Sequence, residues 1–225
     1  APMSKLAQLV EKAKAAGQQI HFLPPYRFDT KIQIMDLLGI HPSKQKDAAS
    51  LTLIHAVVKM RSTKSALEIA EIEHACSIGY KMHTTAMRVA RPGVSEQFVG
   101  GQIDGVARSY GAQTSFATIF SQHGEIMHGN PSPALLEEGR LALCDYTRTF
   151  PVSGKFTQRQ LDIYRIVEEC HDHVLKVARP GVKYADVHFD VCRTMTNRLK
   201  ELGLMKGDTE EAVRAGAHAM FLPHG

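Results

Sequence analysis

The sequence predicts an α+β fold made of two similar halves, and three observations carry the prediction. The hexamer VARPGV occurs at Val89–Val94 and again at Val177–Val182, 88 positions later. Each copy separates two stretches with the spacing of amphipathic helices. Between the copies lie short runs rich in β-branched and aromatic residues, SFATIF, LALC and TRTFPV, with the length and composition of strands.

Taken in order, Met3–Ala16 has helical spacing and is closed by Gly17. Gln19–Leu23 is a short apolar strand candidate stopped by Pro24 and Pro25. Phe28–Leu38 returns to helical spacing and ends at Gly39, and the polar Ser43–Ala49 reads as a loop. A piece of about sixty residues is thin for an independent domain and reads as part of something larger. From Ser65 the pattern changes. Ser65 and Glu68 have capping-box spacing, and apolar residues at Ala66, Ile69, Ile72, Ala75, Met82 and Ala86 predict one long helix that ends before Pro92. Ser95 is placed to cap a second helix that runs to Tyr110 and stops at Gly111. SFATIFSQHGEIMHG predicts two strands around a glycine turn, and Leu141–Cys144 and Thr147–Val152 predict two more. Thr157 and Gln160 repeat the capping-box spacing. A long helix then runs to Ala178, Pro180-Gly181 breaks it, and another spans Ala185 to Leu202, before Gly203. Asp208 and Glu211 are spaced to cap a short final helix.

The hexamer is therefore the break between two helices, used once in each half. Basic residues lie beside it, where a helix C-terminus favours cations; proline cannot continue the helix and glycine permits the turn. Each half also reaches a His-Gly pair, His128-Gly129 and His224-Gly225. An internal duplication accounts for that order of elements, and a cleft between two such halves is where a site would form.

Composition narrows the classes. Hydrophobic residues make up 44% and charged residues 22%, as in ordinary globular proteins. The excess of 27 Lys+Arg over 23 Asp+Glu is spread along the chain, without the clustered basic face that nucleic acid requires. No apolar run reaches the ~18 residues of a membrane span, and the start is an amphipathic pattern rather than a leader with an apolar centre. Cys76, Cys144, Cys170 and Cys192 are far apart with no CxxC pair. That argues against a zinc ribbon; three of the four sit within apolar, periodic stretches, and the set reads as buried free thiols in a reducing, cytoplasmic compartment.

The string CDYTRTFPVSGKFT, Cys144–Thr157, carries the chemistry. An aspartate among strand residues is costly unless its desolvation is offset by a metal ion or an arginine partner. From chemistry alone both remain open for Asp145, with Arg148 as the partner. TRTFPVSGKFTQRQLDIY resembles the metallopeptidases that cleave Xaa-Pro bonds, aminopeptidase P and prolidase, of the pita-bread (creatinase/aminopeptidase-like) fold. RSTKSALEIAEIEHACSIGYKMH resembles the first helix of their catalytic domain. SFATIFSQHGEIMHGNPS resembles their substrate-side strand, and FLPHG the opening of their HGxGH string.

The resemblance covers Val57 to Gly225. It implies a partial N-terminal creatinase-like domain over 1–56, a pita-bread catalytic domain over 57–225, and helices on a curved antiparallel sheet with halves related by a pseudo-twofold axis. It implies two divalent metal ions, Mn²⁺ with Co²⁺ or Zn²⁺ as alternatives, held by two Asp, one His and two Glu. A metal-bridging hydroxide would attack the carbonyl before proline. It assigns Asp145 to the metals, His128 and His224 to substrate binding and stabilisation of the tetrahedral intermediate, and Arg148 to supporting the site strands through a carboxylate. Substrates would be peptides with proline in second position, the assembly a dimer or larger, and aminopeptidase P a nearer match than prolidase. His83, His171 and His173 read as surface or core filler, and Tyr146 and Phe150 as packing residues.

The sequence also departs from the family pattern. The family has two ligand aspartates about eleven residues apart on adjacent strands; here LALCD and DYTRTF share the single Asp145. The ligand histidine would come two residues after Gly225 and both glutamates later still. Removing one strand of a paired hairpin leaves backbone groups unpaired at a cost of several kcal/mol. This predicts that Leu141–Cys144 does not run straight on into Thr147–Phe150 and that the chain is not continuous at Asp145–Tyr146. A metal-free pita-bread module that binds a partner is the alternative reading.

Overall fold

The structure, a computed structural model, describes residues 2–145 and 147–221. The chain divides into two compact units, residues 1–75 and 76–225.

The first unit is helical. A 3₁₀ turn at Met3–Lys5 leads into α1 (Leu6–Ala15), followed by α2 (Phe28–Leu38), a second 3₁₀ turn at Pro42–Lys44, α3 (Gln45–Ala48) and α4 (Leu51–Ser62). The predicted strand at Gln19–Leu23 does not form. A strand needs a partner, and here the Phe22 carbonyl instead accepts the Ser50 N–H at 3.0 Å while His21 Nδ1 meets Ser50 Oγ at 2.7 Å. The predicted loop at Ser43–Ala49 is helical, because buried Gln45 staples it down by donating to the Lys31 and Ile40 carbonyls, both at 2.8 Å. Ser50 caps α4 by accepting from Leu53 N at 3.1 Å, so one helix runs through positions 56 and 57.

Across the boundary runs α5 (Ala66–Val89). Its N-terminus carries the expected capping box: Ser65 N–H donates to Glu68 Oε2 at 2.7 Å and Glu68 N–H to Ser65 Oγ at 3.3 Å. After the first VARPGV comes α6 (Glu96–Ser109), capped by Ser95 Oγ from Phe98 N at 3.2 Å. Three strands follow, β1 (Phe120–Ser121), β2 (Leu141–Cys144) and β3 (Arg148–Pro151), forming an antiparallel sheet in the order β1-β2-β3. Ala142, opposite Phe150, and Cys144, opposite Arg148, face the helices, whereas Leu141, Leu143 and Thr149 face away. Phe120 and Phe150 pack with ring centroids 6.4 Å apart, in a core with Ala86, Val99, Ile103, Leu136 and Val152.

The second half contributes α7 (Gln158–Val177), α8 (Tyr184–Glu201), α9 (Thr209–Arg214) and a 3₁₀ turn at Ala217–Met220. Thr157 and Gln160 form a complete capping box, and Asp208 Oδ1 caps α9 through Glu211 N at 2.9 Å. Ile166, Cys170, Met195 and Leu199 form a smaller core between α7 and α8.

The duplication is visible atom by atom. In the first hexamer Val94 N–H donates to the Arg91 carbonyl at 3.1 Å, and in the second Val182 N–H donates to Arg179 at 3.0 Å. Arg91 Nη1 turns back onto the Met87 and Ala90 carbonyls, as Arg179 Nη1 turns onto Leu175 and Ala178. Gly93 and Gly181 take φ of 85° and 91°, which only glycine adopts cheaply. Helix faces correspond as well: Ile78 and Ile166 are buried, as are Val99 and Val187, and Ala107 and Met195.

One further strand expectation fails. SFATIFSQHGEIMHG yields only β1; its second half is a loop of turns whose backbone is held by a side chain. The two runs on either side of the predicted break are neighbours in the sheet: β2 and β3 pair antiparallel, Cys144 opposite Arg148. Tyr146 itself lies outside the described residues, and with it the Asp145–Tyr146 junction and the packing role read for Tyr146. Phe150 is buried as expected.

Candidate functional site

The loop that carries His128 is tied at its base by one buried carboxylate. Glu96 opens α6 and is 1% exposed. Its Oε1 accepts from Ser121 Oγ and Gln122 N, both at 2.9 Å; its Oε2 accepts from Ser132 N at 3.1 Å and Ser132 Oγ at 2.6 Å. Burial pushes the carboxyl group up, but the hydrogen bonds from Ser132, Gln122 and Ser121 outweigh it and hold Glu96 below the ordinary glutamate value. The first turn of α6 adds to the clamp, with Glu96 N donating to Ala134 O and Gln97 N to Ser132 O, both at 3.0 Å. Gln122 reinforces it, donating to the Leu135 carbonyl at 2.9 Å and accepting from Glu137 N at 2.8 Å. Residues 123–131 thus leave and return through one anchor, and His128 stands exposed within that span.

Asp145 is the first residue of the β2–β3 connection and is exposed. Arg148, across the pair from Cys144, donates from Nη1 to the Thr147 carbonyl at 2.7 Å; among the described residues it makes no ion pair. Under the turn, Cys144 Sγ lies 2.9 Å from His83 Nδ1, and its thiol donates to the Arg148 carbonyl at 3.6 Å. Burial raises the Cys144 pKa to about 11, so the thiol stays protonated. The structure therefore places Asp145 just after β2 and Arg148 at the start of β3, on neighbouring strands, and His128 on the Glu96-anchored loop after β1. His224 lies outside the described residues. His83 is the core filler expected of it, whereas His171, its counterpart in the repeat, is exposed beside Asp172 at 3.2 Å.

Two recesses flank these elements. One of about 350 Å³ lies on the sheet face turned away from the core, between Gln122, Gly124, Leu143, Thr149 and Gln160. Another of about 620 Å³ lies along α6, between Gly100, Asp104, Arg108, Phe116 and Asn130. Neither is lined by His128, Asp145 or Arg148.

A dinuclear centre of the kind the resemblance implies needs several carboxylates converging with a histidine. Around Asp145 the described residues do not supply that set. Among them a single group of three donors converges, His188, Cys192 and His218, and it excludes Asp145. The residues described here do not fit the pair of ions.

Glu96 was not legible as a functional residue. An acid in the first turn of a helix is what the dipole favours anyway, and its partners lie 25 to 36 positions away.

With this geometry in view, residues 70–225 match the model of metallopeptidase family M24. The chain is 38% identical over 200 residues to Xaa-Pro aminopeptidase of Escherichia coli K12, covering 81% of this chain and 45% of that protein. It is 27% identical over 223 residues to a probable Xaa-Pro aminopeptidase of Chaetomium globosum, covering 93% and 36%. Among solved structures, E. coli aminopeptidase P with the inhibitor Pro-Leu superposes with a TM-score of 0.68 at 38% identity, covering 73% of this chain and 40% of that one. Zinc-substituted E. coli aminopeptidase P with product gives 0.67 at 38%, covering 71% and 40%. The fold is thus the α+β pita-bread fold of that enzyme, and the chain spans under half the length of these relatives.

Proposed function

The chain belongs to metallopeptidase family M24, and from that premise we propose that the protein is a metal-dependent exopeptidase that releases the N-terminal residue before proline. The observation that carries this reading is the 38% identity to E. coli Xaa-Pro aminopeptidase, maintained in structure over 73% of the chain. In this reading the substrates are peptides with proline second. His128 and His224 bind the peptide and stabilise the tetrahedral intermediate. Glu96 holds the His128 loop in place, and Arg148 supports the turn. Asp145 is the one residue here assigned to a metal. Divalent ions are implied by the family, and manganese suits hard carboxylate donors, with cobalt or zinc as substitutes. A cytoplasmic location, a homodimer or larger assembly, and a division into N-terminal and catalytic domains near position 56 belong to the same proposal.

A second reading is favoured by one observation: the sequence carries a single aspartate, Asp145, between LALC and TRTF where the family pattern has two. A metal-free pita-bread module would bind proline-containing peptides without cutting them. Incubation with Mn²⁺ and an Xaa-Pro peptide separates the two, with the released amino acid measured by chromatography and peptide binding by calorimetry. Release that falls about tenfold or more in His128→Ala supports the peptidase. Binding without release, unchanged by Mn²⁺, overturns it in favour of the module.

A further inference from the structure

We propose that His188, Cys192 and His218 form a binding site for one zinc-class transition-metal ion, separate from any ion at Asp145. His188 and Cys192 stand four residues apart on α8, which stacks them on one helix face. Cys192 Sγ lies 3.5 Å from His188 Nε2. His218 comes from the 3₁₀ turn at Ala217–Met220, with its ring 6.2 Å from that of His188 at an interplanar angle of 72°. One donor atom from each of the three lies within 4.8 Å of the others. Zinc–nitrogen bonds of about 2.0–2.1 Å and a zinc–sulfur bond of about 2.3 Å, at tetrahedral angles, put donors roughly 3.3–3.5 Å apart. The His188–Cys192 pair already has that spacing, and small side-chain adjustments close the rest.

A second, independent feature points to a ligand. His218 is 8% exposed, and its Nδ1 is fully buried with no hydrogen-bond partner among the described residues. A buried ring nitrogen without a partner is costly, and a cation beside it removes the cost. Two imidazoles and one thiolate select zinc, cobalt or copper over the hard ions preferred by carboxylates. Three protein ligands leave a fourth position, and half-buried His188 leaves that position open to water. Binding is balanced by proton release: the Cys192 thiol, kept protonated by burial, gives its proton to solvent as the metal–sulfur bond forms. Both histidines bind as neutral imidazoles. The ion would cross-link α8 to the 3₁₀ turn at Ala217–Met220.

The test is a titration of the reduced, metal-free 225-residue chain with Co²⁺, followed by displacement with Zn²⁺. The expected result is one ion per chain, visible tetrahedral d–d bands, a near-ultraviolet thiolate-to-cobalt band, and about one proton released per ion. Cys192→Ser abolishes the charge-transfer band. His218→Gln and His188→Ala each weaken binding about tenfold or more. Cys76→Ser and Asp145→Asn leave the band unchanged, and circular dichroism confirms that each variant is folded. The proposal is overturned by folded protein that shows no charge-transfer band, by a band that persists in Cys192→Ser or is lost in Asp145→Asn, or by undiminished affinity in His218→Gln.

Discussion

Replacing Glu96 by glutamine keeps its shape and removes its charge, and the consequence follows from four contacts. The carboxylate accepts two backbone N–H groups, Gln122 N at 2.9 Å and Ser132 N at 3.1 Å, and two hydroxyls, Ser121 Oγ at 2.9 Å and Ser132 Oγ at 2.6 Å. Each oxygen serves one of each kind. An amide has one acceptor end and one donor end, so whichever way it is placed, its NH₂ faces one hydroxyl and one backbone N–H. The hydroxyl can rotate to accept; the N–H cannot. One buried N–H is therefore left unpaired, at about 1–3 kcal/mol, and the two remaining bonds lose charge assistance worth about 1 kcal/mol each. Glu96→Gln is expected to destabilise the protein by about 3–5 kcal/mol in urea unfolding, with faster amide exchange at Gln122 or Ser132. The folded pKa of Glu96 is lowered, so its stabilisation is present above the unfolded value of about 4.3 and fades as pH falls through the folded value. The gap between wild type and variant should shrink in that window. A variant within 0.5 kcal/mol of wild type, in the sense of an ordinary surface change of about that size, with unaltered exchange at both amides, refutes the clamp.

Other expectations are simpler. In α6 a Cβ on Gly100 would lie 2.6 Å from Pro131 Cγ, whereas one on Gly101 meets nothing within 4 Å. Gly100→Ala should cost about 1–3 kcal/mol through overpacking a rigid ring, and Gly101→Ala should gain about 0.5–1 kcal/mol of helix stability, both read from urea midpoints. Cys76 alone is exposed, while Cys144 and Cys170 are raised to about 11 by burial. At neutral pH one thiol should react quickly with a disulfide reagent, and four only after unfolding; fast reaction of more than one in the native state contradicts the packing. Thr157→Ala removes the hydroxyl of the second capping box and should cost about 0.5–2 kcal/mol of thermal or urea stability.

The elements that the sequence revealed share one property: their signals are local. Ser65 with Glu68, Thr157 with Gln160, and Asp208 with Glu211 sit within one turn of each other, and each begins a helix where expected. Strands were legible where the sequence also offered a partner run, near or far: β1 in SFATIF pairs with β2 more than twenty positions on. Leu141–Cys144 and TRTF pair across a short connection, whereas the second strand read into IMHG has no partner strand, and its loop is shaped by Glu96 from a distant helix. The metal-like cluster follows the same rule. His188 and Cys192 were readable as one helix face, but only the fold brings His218 to them. The site residues taken from the family resemblance are placed unevenly: Asp145 follows β2 and Arg148 opens β3, His128 stands on an anchored loop, and His224 lies outside the described residues.

The two RPG bends are closed by the same bonds, although Ala90 in the first is buried and Ala178 in the second is exposed. The first bend also binds a neighbour, Gly93 N–H donating to the Leu136 carbonyl and Leu136 N–H to the Val94 carbonyl, both at 2.8 Å. The internal bond is thus the part the two copies share, and the outward-facing amide and carbonyl are where they differ: one lobe uses them to hold the segment beside its sheet, while the other packs its helices on each other.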